Sequence, residues 1–440
     1  MSPILPIAGI ALALSAYAQA PPDNGTPLTI TLQDALQRAQ KYSQTTFNAN
    51  IEALLAHEDT VQAKAALLPS VNGLSQYIYT QSNGSASGVF VPNDGVHVYN
   101  DYVTAHADIF APSKHFDYKK TIAAEAAARA RFDLATRGLV GTVMQDYYTM
   151  AVAARKVHNA ELSVADAQSF FDITGKQEKG GEVAHSDTVK ARLTLNDRKR
   201  DRQEALLALD KARIAFAVLL FPDYQTNFTV ADDLDTLAAL PVYSEVQTLA
   251  GKNSPDIRAA QATVTAQDFE VRSAKADRLP SLSMDYYFGI SADQFAIHNS
   301  DGQNLLGSVV QAQINVPIWT WGAARSKVKQ AEFKLQQARN DLTYTQRNLL
   351  AQLDSFYREA AMARDQLASL HESVDLSKQS LDLTLLRYQA GEVSVLEVVD
   401  AQSSARDARN AMDDGLARYR VAIGNLQDSH RGVLGNGNGN

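Results

Sequence analysis

The sequence predicts an α+β chain made mostly of long α-helical coiled coils, written twice in tandem, with two short strands in each copy. Three observations carry this prediction. A glycine turn between helices occurs at Lys179-Gly180-Gly181-Glu182-Val183 and again at Gln389-Ala390-Gly391-Glu392-Val393, 210 residues further on. The segment Lys64-Ala65-Ala66-Leu67-Leu68-Pro69-Ser70-Val71 aligns with Lys275-Ala276-Asp277-Arg278-Leu279-Pro280-Ser281-Leu282. Between strand and turn, apolar residues recur in alternating steps of three and four, the spacing of a coiled-coil seam. A repeat of this size sets the whole architecture, because each copy is one structural unit.

Composition narrows the function classes. The chain has 440 residues, a net charge of −8 and no cysteine. The mild acidity argues against a nucleic-acid binder, which carries a basic face. The missing cysteines exclude disulfides, thiol catalysis, Cys-zinc sites and a lipid on Cys. Residues 4–16 form a short apolar run, and Ala18-Gln19-Ala20 has the small-x-small pattern of a signal-peptidase site, so residues 1–20 are expected to be an export signal. Past residue 20 no apolar run approaches the ~18 residues of a spanning helix. A membrane location of the mature chain therefore requires a β-barrel.

In chain order, the first repeat spans 28–220 and the second 244–427. Thr31 opens a helix that runs to about Leu68 and is stopped by Pro69. Ser244, with Gln247 three residues on, opens its counterpart as a capping box, and that helix ends at Leu279-Pro280. After each Pro-Ser the period changes. Val71–Thr80 and Ser281–Ile290 read as Tyr-bearing strands, and Val96–Phe110 and Leu305–Ile318 as their returns, across Gly/Ser/Asn/Asp-rich loops at 81–95 and 291–304.

The longest rod follows Gly322. Its seam runs through Val328, Ala331, Leu335 and Ala338 to Leu381, Leu385 and Tyr388, with one four-four stutter at Leu349–Leu353. About 64 residues at ~1.5 Å each give a rod of about 95 Å. The first copy repeats it from Ser113 to Lys176 with Gly138 and Gly141 inside. Shorter helices return from the turns, about Ser186–Leu220 and Leu396–Leu426. Residues 221–243 form an acidic linker with Asp232, Asp233 and Asp235, and 428–440 a disordered tail.

Strands of this length match the ~9–11 residues that cross a bilayer when tilted. The alternative is a soluble hairpin standing on a coiled coil. Four strands cannot close a membrane barrel, since the smallest have about eight. An open edge in lipid costs several kcal/mol per unpaired backbone group, so a membrane location requires several chains to share one barrel.

The repeated Gly-Glu-Val turn, the Leu-Pro-Ser segments, the duplication and the heptads together resemble the TolC family of outer-membrane efflux proteins. Leu28-Thr29-Ile30-Thr31-Leu32, Asn253-Ser254-Pro255, Val316-Pro317-Ile318 and Arg387-Tyr388 through Asp400-Ala401-Gln402 add to the likeness, which covers about 28 to 427. The resemblance implies a homotrimer in which four strands per protomer build a twelve-stranded transmembrane β-barrel in outer-membrane lipid, continued by a periplasmic α-helical barrel. It further implies a passive exit duct for a tripartite efflux or type I secretion system, with a periplasmic adaptor protein and an inner-membrane pump as partners.

By the same resemblance Glu397 and Asp400, six and nine residues after Gly391, form acidic rings of a periplasmic gate, and carboxylate rings in pores bind cations. Without it they are two solvated surface carboxylates. Asp187, six after Gly181, and Tyr388 resemble the contacts that hold the gate closed. Some family members carry Arg two residues after the second glycine, where this chain has Val393. Gly181, Glu182, Gly391 and Glu392, at the turn tips, are the implied adaptor contact. Trp319, Trp321, Tyr77, Tyr79, Tyr286 and Tyr287 could form an aromatic girdle at the membrane interface, or pack on neighbouring elements. No signature of an enzyme, cofactor or metal site is present: Gly84-Ser85-Ala86-Ser87-Gly88 lacks the central Ser of a nucleophile elbow. The competing function is a soluble periplasmic coiled-coil adaptor.

Overall fold

The structure, a computed structural model, describes residues 28–79 and 97–430. The expected signal peptide, the loop at 81–95 and the tail from 431 onward lie outside the described residues. The first half of the chain contains β1 (Leu28–Ile30), α1 (Leu32–Tyr42), α2 (Gln44–Ala65), β2 (Ser70–Tyr79), β3 (His97–Phe110), α3 (Pro112–Gly180) and α4 (His185–Leu220). The second contains β4 (Phe228–Val230), α5 (Tyr243–Asn253), α6 (Pro255–Ala276), β5 (Ser281–Ala292), β6 (Leu306–Asn315), α7 (Ala323–Gln389) and α8 (Val395–His430). Helix, helix, strand, strand, long helix, return helix is the order in both. The last helix continues through 428–430, where the sequence suggested a disordered tail.

Each single helix expected before the strands is two helices. Ser43 leaves the α region (φ −67°, ψ 119°), closes α1 with its N–H on the Ala39 carbonyl, and opens α2 with its hydroxyl on the Thr46 N–H. Ser254 does the same (φ −63°, ψ 120°) between Ala250 and Ile257. Pro255 enforces the second break, because a residue before proline is pushed out of the helical region. Ser43 makes the same break by side-chain capping without a proline. The capping box expected at Ser244 is absent. The helix begins one residue earlier, at Tyr243, with no side-chain cap on Val242. The box lies instead at the start of the first copy, where Thr31 and Asp34 bond reciprocally.

The main sheet is antiparallel in the order β2-β3-β5-β6, so one strand of each copy is an edge. Its register sorts the side chains. Val71, Val103, Phe288 and Ser308 share a face with Tyr77, Ala107, Met284, Tyr286, Val310 and Ile314. The other face carries Asn72, Gln76, Asn100, Thr104, His106, Asp285, Gln311 and Gln313. One side is mainly apolar, with Asp101 as an exception, and the other mainly polar, with Leu74, Ile78, Val98 and Val309 among its members, the bias a barrel wall needs between lipid and water. An irregularity between Asp108 and Phe110 returns Phe110 to the apolar side, opposite Leu282. Tyr77, Tyr99 and His97 cluster on the apolar face at the loop end, and Trp319 and Trp321 meet edge-on at 5.7 Å beyond the other end. Tyr287 does not join them, because the register turns it to the polar face, against Tyr102.

The helices of 69 and 67 residues are each about 100 Å long at ~1.5 Å per residue. Every buried residue of α7 falls on the predicted seam: Val328, Ala331, Leu335, Ala338, Leu353, Ala360, Ala363, Leu367, Leu381 and Tyr388. The stutter marks a change of partner. Up to Ala338 the seam packs on α6, through Val271 and Ala274; from Leu353 it packs on α8. Near the sheet the helices lie in the order α2-α3-α6-α7, and beyond it α4-α3-α8-α7.

Where the layers change, the largest core gathers Tyr147, Phe216, Leu220, Phe228, Leu353, Tyr419 and Leu426 under a parallel β1–β4 ribbon. The acidic linker is held there rather than left free. Arg155 binds Asp232 at 2.6 Å, Asp235 at 2.7 Å and Asp413 of α8 at 3.2 Å, while Tyr147 and Tyr419 donate to the Ala231 and Ala238 carbonyls.

Candidate functional site at the helical tips

The two glycine turns are built alike. Gly181 and Gly391 both have φ 76°. In each, the glycine N–H bonds the carbonyl three residues back and the next N–H bonds the carbonyl five back: Gly181 to Glu178 and Glu182 to Gln177, Gly391 to Tyr388 and Glu392 to Arg387. This is the Schellman ending, which requires a left-handed residue and so favours glycine. No atom within 4 Å would meet a Cβ at either position, so the requirement is one of backbone conformation and not of space.

The tips pack on each other. Phe170 of α3, Ala191 of α4, Tyr388 of α7 and Val395 and Val398 of α8 form one buried cluster, with Val183 and Val393 against it. Val183 and Val393 stand two residues after their glycines, so the repeat that shapes the turns also supplies this apolar contact. Val393, at the position where the family comparison raised an arginine, is therefore spent on packing.

Tyr388 is 3% exposed. Its ring meets Phe170 edge-on at 5.0 Å, and its hydroxyl donates to Thr174 Oγ1 at 3.4 Å. Burial raises its pKa; the Thr174 contact works against that rise and the charge of Asp187 adds to it. Tyr388 and Asp187 are thus brought together electrostatically within one chain, while the hydroxyl itself is turned to α3. Asp187 is half-buried at the first turn of α4, near the Ser186 hydroxyl.

Glu397 and Asp400 are both exposed, one turn apart at the start of α8. Glu397 Oε1 accepts from the Ser394 N–H at 3.3 Å and the Ser394 hydroxyl at 3.4 Å, the carboxylate half of a capping box. Asp187 and Glu397 occupy the same helical position, where a carboxylate favours the positive helix end. Glu182 and Glu392 are exposed, and Glu392 faces Arg387 at 3.4 Å. The structure groups all eight predicted residues at one end of the chain's helical rods.

A polar seam that the sequence reading missed joins the halves above the tips. Gln402 Nε2 donates to the Asp166 carbonyl at 3.2 Å, Arg198 Nη2 to Ser403 Oγ at 2.7 Å, and Asn159 Nδ2 to Asp413 at 2.8 Å. Arg409 approaches Asp166 at 3.6 Å, an ion-pair distance too long for a hydrogen bond. Burial raises the Asp166 carboxyl, with Arg409 opposing and Asp382 reinforcing the rise. Partners more than 200 residues apart leave no local signal; only their place on the seam-facing sides of α3 and α8 hints at them.

An amphipathic four-stranded sheet with open edges, carried on helical rods with paired tips, is the architecture that the TolC resemblance implies for one chain. Comparison with known proteins agrees. Residues 247–427 match the outer membrane efflux protein family. The chain is 21% identical to the alkaline protease secretion protein AprF of Pseudomonas aeruginosa, over 84% of this chain and 78% of that one. It is 20% identical to the outer membrane protein TolC of Vibrio cholerae, over 84% and 83%. The Campylobacter jejuni CmeC outer membrane channel superposes with a TM-score of 0.81 at 18% identity, covering 98% of this chain and 94% of that one. The resemblance to the TolC family of outer-membrane efflux proteins is borne out by these matches. They lend no support to the soluble adaptor alternative.

Proposed function

We propose that three copies of this chain close into an outer-membrane channel with a periplasmic helical tunnel, the passive exit duct of an efflux or secretion system. The observation that carries the reading is that the protomer is open along both sides at every level. The sheet ends in unpaired β2 and β6. Exposed apolar residues run at heptad spacing down the edge helices: Phe47, Leu54 and Val61 on α2, Leu193, Leu207 and Ile214 on α4, and Met362, Leu376 and Leu383 on α7. These are seams without a partner inside the chain, and burying one large aliphatic side chain is worth about 1.5–3 kcal/mol. A closed ring of copies sets first-repeat edges against second-repeat edges and leaves no strand edge in lipid. No helix among the described residues is long and apolar enough to cross a membrane, which leaves the sheet as the spanning element.

At the far end, Glu397 and Asp400 of three copies form two acidic rings around the tunnel mouth, with Tyr388 and Asp187 holding the hairpins together. The turns at Gly181-Glu182 and Gly391-Glu392 offer a periplasmic adaptor two equivalent grips, and an inner-membrane pump supplies the driving force. The repeats 28–220 and 244–427 are the two walls of each protomer, joined by 221–243 at the equator. The test is the mass and conductance of the protein extracted from membranes in mild detergent. A trimer that forms pores in planar bilayers supports the reading. A monomer that stays in the soluble periplasmic fraction refutes it. Glu397→Ala with Asp400→Ala raises conductance and weakens block by divalent cations; unchanged block removes the two carboxylates from the gate.

A further inference from the structure

The polar face of the sheet carries a charged group with no place in the gate. His106 of β3, Asp285 of β5, Ser70 of β2 and Gln311 of β6 are mutual cross-strand partners and form one row across the protomer. His106 Nδ1 lies 2.6 Å from Asp285 Oδ1, and its Nε2 lies 3.7 Å from Asp108 Oδ2. Lys114, in the first turn of α3, pairs with Asp108. The row sits toward the strand ends that join the helices, since β3 ends at Phe110 and β5 begins at Ser281.

The alternation of the sheet decides which way this row looks. Every residue in it shares the face of Asn72, Thr104 and Gln313, opposite the face of Val71, Ala107, Met284 and Ile314. If three copies close the barrel with the apolar face to lipid, the row continues around the lumen. We propose that His106, Asp285, Asp108 and Lys114 form a second ion-selective belt, at the helix-side mouth of the barrel, with Asp285 and Asp108 as its carboxylates. The inference rests on the trimeric barrel and extends it from gating at the tips to ion selection at the opposite end of the tunnel.

The charge balance is simple. Two carboxylates, Asp285 and Asp108, and one lysine, Lys114, leave one net negative charge per protomer. β2 and β6 contain no Asp, Glu, Lys or Arg, so nothing on those strands offsets the balance. Nearby at the junction, Lys120 pairs with Asp117 and Glu270, and Lys327 with Asp277, a group that itself adds negative charge at this end of the sheet. A ring of carboxylates attracts cations into a pore.

The natural absence of cysteine makes the geometry testable one position at a time. In planar bilayers, a bulky charged thiol reagent should reduce the conductance of Ser70→Cys channels and leave Val71→Cys channels unchanged. The opposite pattern would put the row on the lipid face and overturn the proposal. Selectivity is read as the reversal potential in a KCl gradient, in a Glu397→Ala/Asp400→Ala background that removes the tip carboxylates. At pH 8 the channel should favour K⁺, and Asp285→Asn should lower that preference roughly twofold or more. Conducting channels whose reversal potential ignores Asp285→Asn would sink the belt while leaving the barrel standing. Protein that inserts as a trimer yet never conducts would overturn the barrel and the belt together.

Discussion

Replacing Tyr388 separates packing from polar latching at the tips. Its ring is buried across the boundary between the repeats, on Phe170 of α3, and its hydroxyl makes one long contact at 3.4 Å. Truncating a buried aromatic side chain to alanine costs about 3–5 kcal/mol, and that figure bounds what the contact holds between α7 and α3 in each protomer. The hydroxyl is worth far less: a neutral hydrogen bond contributes about 0.5–1.5 kcal/mol, and one this long falls at the bottom of that range. Tyr388→Ala should therefore loosen the tips, seen as faster proteolysis at the two turns and a larger single-channel conductance, while Tyr388→Phe stays close to the parent on both. Equal opening by Tyr388→Phe and Tyr388→Ala would refute the reasoning, because the hydroxyl would then outweigh the ring. Thermal unfolding of both variants separates a local effect from global loss of structure.

Four further perturbations follow from the same geometry. Gly391→Ala meets no neighbour but must hold φ 76°, a cost of about 1–2 kcal/mol, and Gly181→Ala should match it. Gly424→Ala fails for a different reason, since its Cβ would lie 2.4 Å from Met144 Sδ; about 1–3 kcal/mol is expected, and calorimetry should recover part of it in Gly424→Ala/Met144→Ala. Arg155→Ala leaves the buried Asp413 with only Asn159 and frees Asp232 and Asp235, so residues 222–241 should become protease-sensitive at a cost of about 2 kcal/mol; an unchanged cleavage rate would contradict it. Burial pushes the Asp428 carboxyl up to about 6, against the pull of Arg137. The folded chain then binds this proton more readily than the unfolded one, so stability falls as pH rises between the usual carboxylate range and about 6. Asp428→Asn should raise Tm at pH 7.5 and lose that gain at pH 4, whereas an equal gain at both would exclude the carboxyl.

Much of the fold was legible because its signals are local and periodic. The seam of α7 could be written down residue by residue, and no buried residue of that helix lies off it. The strands were placed within a few residues because the period switched from helical to alternating at Pro69-Ser70 and Pro280-Ser281. The errors also have local causes. The break at Ser254-Pro255 was visible as a motif but not used as one, and Ser43 has no proline to announce it. The box at Ser244 failed because a capping pattern competes with the actual helix start, which packing of the buried Val246 and Ala250 helps decide. At the tips, the turns were legible from glycine chemistry, but the role of Val393 was not. An absent arginine shows only what is missing; the pairing of Val393 with Phe170, Tyr388 and Val398 appears only when both hairpins lie side by side.

The sequence by itself determined the duplication, the rods, the glycine tips and the amphipathic strands, because each depends on residues within a few turns of one another. The tertiary structure decided which faces those elements share. It set His106 beside Asp285, moved Tyr287 off the aromatic face, exchanged the partner of α7 at the stutter and tied Gln402 to α3. It also showed which apolar stripes remain open once the chain is folded. Such contacts join residues on different elements of the chain, and their energy is realised only when register and packing bring them within a few ångströms, a condition no local pattern encodes.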